Sequence, residues 1–84
     1  MKWRVLLARS AEKELAKISH DGQLRISRAI RALETDPIPP SSKRLKGREE
    51  FRLRVGNYRV LYTIEHASKA VAVTAIGHRR DVYR

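Results

Sequence analysis

The run Phe51-Arg-Leu-Arg-Val-Gly-Asn-Tyr-Arg59 alternates apolar and basic residues through a turn signal. With Gly56-Asn57 as a two-residue hairpin loop, Val55 pairs with Tyr58 and Arg54 falls directly opposite Arg59. Parity adds Arg52 to the same surface. Like charges placed directly opposite each other cost a sheet up to about 1 kcal/mol, so this arrangement predicts an anion held at the hairpin. Each guanidinium offers a planar fork of donors that matches phosphate oxygens. It stays protonated at any physiological pH, so the cluster can stabilise charge but cannot serve as a base.

The last strand is followed by Gly77-His78-Arg79-Arg80-Asp81-Val82-Tyr83-Arg84, which adds three arginines, an imidazole and a phenol. A hairpin register with a four-residue second loop places Arg59 opposite Ile76 and Asn57 opposite His78. The tail is therefore expected to leave the sheet close to the Arg54/Arg59 pair. An anion there would meet guanidinium groups from two strands and from the tail.

These residues need a sheet and something to cover it. Residues 3 to 8 read as an N-terminal strand. Ser10 can cap a helix running to about Ser19, with Ala11, Leu15 and Ile18 at helical spacing. Asp21 restarts the pattern, and a second helix from about 22 to 35 carries Ile26, Ile30 and Leu33 on one stripe. It must stop before Pro37, because the residue preceding a proline disfavours the helical region. Ile38-Pro-Pro-Ser-Ser42 reads as a stiff connector, and Lys43, Arg44, Lys46 and Arg48 lie in a basic loop without periodicity. From residue 50 the period becomes two, giving strands at about 50–55, 58–65 and 70–77.

The expected fold is α+β: an N-terminal strand, two helices, then a three-stranded antiparallel meander, with both helices on one sheet face. Phe51, Leu53, Val55, Tyr58, Val60, Tyr62, Ile64, Val71, Val73 and Ala75 form the core face. Arg52, Arg54, Arg59, Leu61, Thr63, Ala72, Thr74 and Ile76 form the other. Trp3 reads as a packing residue, and His20 and His66 as polar turn residues.

The chain has 84 residues, 19 Lys+Arg against 9 Asp+Glu and a net charge of +10, which suits one small domain that meets phosphate backbones. With no cysteine, disulfides, thiolate nucleophiles and cysteine metal sites are excluded, and the cytoplasm is the natural compartment. Three scattered histidines without acidic partners at ligand spacing predict no metal site. The N-terminal apolar run is too short for a signal peptide or a membrane span.

The stretch Phe51 to Tyr62 (FRLRVGNYRVLY), followed by Gly77 to Tyr83 (GHRRDVY) behind a strand and two helices, resembles the RelE/ParE superfamily of toxin–antitoxin toxins, specifically its RelE branch. The resemblance covers essentially the whole chain. It implies a ribosome-dependent endoribonuclease that cuts mRNA in the decoding site without metal or other cofactor. It also implies a cognate RelB-like antitoxin, through which the complex binds operator DNA. Matched onto this chain, the residues that carry the reaction are Arg52, Arg54, Arg59, Arg79 and Tyr83. The first two are often lysines in the family, and here they are arginines.

RNA cleaves itself when a 2′-OH attacks the adjacent phosphate. An enzyme must then align the hydroxyl, neutralise the phosphorane and protonate the 5′-oxygen. The arginines suit the second task. For proton transfer, Tyr83 comes first and His78 second: flanking arginines lower a phenol's pKa, whereas they disfavour a protonated imidazole. Tyr83 could equally stack on a base and act by position alone. Lys43, Arg44, Lys46, Arg48, Arg80 and Arg84 would grip RNA phosphates. The alternatives are a ParE-like toxin that inhibits DNA gyrase without RNase activity, and a nonenzymatic RNA- or protein-binding module.

Overall fold

Alternation of apolar and polar residues builds a five-stranded sheet whose apolar side is covered by two amphipathic helices. The computed structural model describes residues 2–45 and 50–78. Its elements are β1 (Arg4–Leu7), α1 (Arg9–Ala16), α2 (His20–Ala32), β2 (Ser42–Arg44), β3 (Glu50–Val55), β4 (Tyr58–Glu65) and β5 (Ala70–His78). The strand order is β1-β5-β4-β3-β2. β1 runs parallel to β5, and the other neighbours are antiparallel. The expected meander is thus the centre of a wider sheet.

Three elements depart from the sequence reading. Ser42–Arg44, expected in the connector and the basic loop, forms the edge strand β2 beside β3; three residues are too few to display a period. The helices also begin earlier than expected. Ala8, which contributes no side-chain cap, precedes α1, and Ser10 instead donates its hydroxyl to the Thr74 carbonyl at 3.1 Å. Ser19 caps α2 by accepting from the Gly22 amide at 3.2 Å, so His20 belongs to the helix and not to the turn.

The core joins Ala11 of α1 and Ile26, Ile30 and Leu33 on and just after α2 to Leu53, Val60, Tyr62, Val71, Val73 and Ile76 of the sheet. Burial of each large apolar side chain contributes about 1.5–3 kcal/mol. Trp3 packs against this cluster, with its ring edge-on to His66 at 5.8 Å.

Ile76 lies in the core although simple parity assigned that place to Ala75. The pairing runs Tyr62 with Val73 and then Leu61 with Ala75, which leaves Thr74 as an extra residue in β5. A bulge of this kind inverts the side-chain alternation beyond it. The Thr74 hydroxyl lies 3.3 Å from the Leu61 carbonyl and 3.4 Å from Glu50 Oε2, which ties the bulge down.

Tyr62 fixes the Pro-rich connector to the sheet. Its buried ring stacks on Phe51 at 5.6 Å, and its hydroxyl donates to the Pro37 carbonyl at 2.7 Å. Burial, helped by the Asp36 charge and opposed by Ser42, raises this phenol above its ordinary pKa of 10.0. The unfolded chain therefore releases this proton first, and stability is lost as pH rises through the folded-state pKa. Tyr62→Phe should cost about 1 kcal/mol at neutral pH. That deficit should hold up to about pH 10, where the unfolded phenol titrates, and shrink as pH rises further, as read by urea denaturation of both proteins.

Candidate functional site

The β3–β4 hairpin closes at Gly56-Asn57 with Gly56 at φ +59°, a conformation that glycine adopts without steric cost. Asn57 has no positive φ, so the signs match a type II′ turn, which needs glycine only at its first central position. The resulting register puts Val55 opposite Tyr58 and Arg54 opposite Arg59, as expected. Arg52 lies across from Leu61. Lys43 of β2 lies across from Arg52, so parity brings a fourth cation to the face turned away from α1 and α2.

This face is not uniformly solvated. Arg54 is exposed, whereas Arg59 is 5% exposed and neighbouring Leu61 6%. A guanidinium that has already lost its water is held in a fixed orientation, and anion stabilisation by such a group requires little reorganisation. Arg54 beside it remains in solvent. The site thus combines one embedded and one solvated charge on adjacent strands.

Arg44, one residue after Lys43, pairs with Phe51 and falls on the helix side of the sheet, where it borders a depression with Phe51, Ile64 and His66. The two basic residues expected to act together are therefore split between faces. Arg79, Arg80, Tyr83, Arg84, Lys46 and Arg48 lie outside the described residues.

The bulge also changes the end of β5. Gly77 lies opposite Arg59 and His78 opposite Tyr58, one residue displaced from the expected partners. His78 consequently shares the helix side with Tyr58, their ring centroids 4.9 Å apart and tilted by 42°. The pair borders a cleft of about 600 Å³ between the α1–α2 turn and the ends of β4 and β5, which Glu14, Lys17, Ser19 and Ile76 also line. Glu14 is fixed there because its Oε1 accepts from the Ile76 amide at 2.8 Å. Sequence reading missed Glu14, Lys17 and Tyr58 as possible functional groups; only tertiary packing joins them.

A family model described as the ParE toxin of the type II toxin-antitoxin system, parDE, matches residues 5–83. The chain belongs to this toxin family. The toxin is 30% identical over 88 residues to a protein named as toxin RelE1 of Methanocaldococcus jannaschii, with 100% of this chain and 98% of that protein covered. It shares its fold with the archaeal RelE–RelB complex from Pyrococcus horikoshii, at a TM-score of 0.85 and 24% identity over 98% of this chain and 100% of that one. The RelBE2 toxin–antitoxin complex of Mycobacterium tuberculosis gives a TM-score of 0.85 and 23% identity over 94% of this chain and 100% of that one.

The register carries a direct consequence for stability. Arg54→Glu replaces a like-charged cross-strand pair by an opposite-charged one, and should raise stability by up to about 1 kcal/mol in thermal or urea denaturation. The same change should weaken the anion affinity of this face, which keeps Arg52, Arg59 and Lys43, the usual conflict between a functional charge cluster and the stability of its scaffold.

Proposed function

We propose that this toxin is a RelE-type endoribonuclease that cuts mRNA in the decoding site of the ribosome. The observation that carries the reading is the Arg54–Arg59 cross-strand pair, with Arg52 and Lys43 on the same sheet face. A phosphate there would meet guanidinium groups on two strands. In the reaction, the 2′-oxygen forms a bond to phosphorus while the bond from phosphorus to the 5′-oxygen breaks. The 5′-oxygen takes up a proton from water as it leaves, and the products are a 2′,3′-cyclic phosphate and a 5′-hydroxyl. Arg52, Arg54, Arg59 and Arg79 offset the charge on the phosphorane, and Tyr83 takes the hydroxyl proton or orients the substrate by stacking. Because the arginines stabilise charge but cannot take a proton, in-line alignment of the substrate by the ribosome contributes much of the rate.

Partnership follows from the same charge. Structural relatives are complexes of RelE with RelB, which supports a RelB-like antitoxin for this chain. An acidic or amphipathic segment laid over the basic face would satisfy it, and the complex would reach operator DNA through the antitoxin. The site of action is the cytoplasm, where ribosomes are. Among the described residues, no helix is long and apolar enough to cross a membrane.

A second reading, inhibition of DNA gyrase without RNA cleavage, is favoured by the ParE description of the matching family model. Primer extension on mRNA from a translating extract separates the two. Codon-phased 5′ ends are expected, reduced at least about 100-fold by Arg59→Ala, the scale for removing one preorganised donor. They should also be lost in Arg79→Ala and Tyr83→Phe. Intact mRNA alongside gyrase trapped on DNA would replace the nuclease reading by the second one.

The split between Lys43 and Arg44 gives a further check. Lys43→Ala should lower the slope of log affinity against log salt for RNA by about 1, while Arg44→Ala leaves it unchanged.

A further inference from the structure

We propose that the cleft between the α1–α2 turn and the ends of β4 and β5 receives an unstacked nucleobase of the RNA whose phosphate lies on the arginine face, an inference that rests on the RNA-cleaving reading. Tyr58 and Arg59 are consecutive in β4, and Gly77 and His78 are consecutive in β5. Arg59 pairs with Gly77 and Tyr58 with His78, so the phosphate site and the aromatic pair occupy opposite faces of the same two strand ends. Consecutive side chains leave opposite faces of the sheet, so the two sites lie on either side of one sheet layer. An RNA whose phosphate lies at Arg59 passes around the strand ends to place a neighbouring base in the cleft.

The cleft has the chemistry for this occupant. Its volume of about 600 Å³ lies within the range of small-ligand sites, roughly 300–1,000 Å³. Single-stranded RNA is read by stacking bases on aromatic rings and by hydrogen bonds to their edges. Tyr58 is half-buried, and Gly22 makes room for it: a Cβ on residue 22 would lie 2.9 Å from the Tyr58 hydroxyl and 2.5 Å from Ile18 Cγ2. The ring is thereby backed by α2 and held as a platform, with the exposed His78 ring against it. Glu14, anchored through Ile76, presents a fixed acceptor to amino or imino N–H groups of a base. Lys17, three residues further along, supplies a cation for the sugar–phosphate chain. His78 then has a binding task, separate from the proton transfer assigned to the tail.

The test uses an uncleavable RNA trinucleotide carrying 2-aminopurine and 2′-O-methyl sugars, added to the folded toxin while fluorescence and the ring resonances of Tyr58 and His78 are followed. Saturable quenching and movement of both rings are expected. Tyr58→Leu and His78→Ala should each weaken binding by about fivefold or more, the scale of one base–aromatic stack. Glu14→Gln, which keeps an oxygen for the Ile76 amide, should change the ranking of trinucleotides that differ in the base. Unfolding midpoints of the variants show that they remain folded.

Binding with both ring resonances unmoved, or equal affinity in Tyr58→Leu and His78→Ala, overturns the cleft assignment. An acidic amphipathic peptide that moves these rings when RNA does not would also overturn it, by giving the cleft to a protein segment. Codon-phased cutting without ring movement removes the cleft and leaves the nuclease, whereas ring movement without cutting retains the cleft and removes the nuclease.

Discussion

The pairing of β4 with β5, and the single extra residue Thr74 within it, governs what each face of this sheet presents at its hairpin end. Above the bulge, Tyr62 and Ile64 face the helices opposite Val73 and Val71; below it, Val60 does so opposite Ile76. Without the insertion, Ile76 and His78 would turn to the arginine face, and Ala75 would leave a gap in the core. The bulge therefore serves packing and site geometry together: it sets Gly77, which has no side chain, opposite the embedded Arg59.

Where β1 ends, β5 would otherwise expose unpaired backbone groups, a liability at any strand edge. α1 covers it with side chains. The Ser10 hydroxyl donates to the Thr74 carbonyl, and Glu14 accepts from the Ile76 amide. A helix placed for core burial thus also completes the ladder at the bulge. It brings a carboxylate to the cleft as well, which couples the integrity of the sheet edge to the shape of that cleft.

Charge is distributed by the same topology. Arg59 is drawn into the sheet face while Arg54 remains in solvent, and β2 adds Lys43 on one side and Arg44 on the other. A surface that looks uniformly basic in composition is in structure a graded one, with its buried charge on the central strand β4 and its exposed charges, Arg54 and Lys43, on β3 and β2. Such grading suits an anion that is first attracted and then held.

Local pattern alone dictates the hairpin, because Gly56-Asn57 and strict alternation leave one register in which Phe51, Leu53, Val60 and Tyr62 are all turned to the core. It likewise dictates both helices, whose apolar stripes recur at helical spacing, and the Arg54/Arg59 opposition that follows from the turn. The motif at Phe51–Tyr62 and Gly77–Tyr83 carried the family. The remaining features arise from packing between elements. β2 exists because Lys43 and Arg44 meet a partner in β3, not because of any local pattern. The Thr74 bulge is set by competition between Ala75 and Ile76 for one place in the core. The cleft of Glu14, Lys17, Tyr58 and His78 joins residues distant in the chain, and a period read along one strand carries no information about which helix will stand over its end.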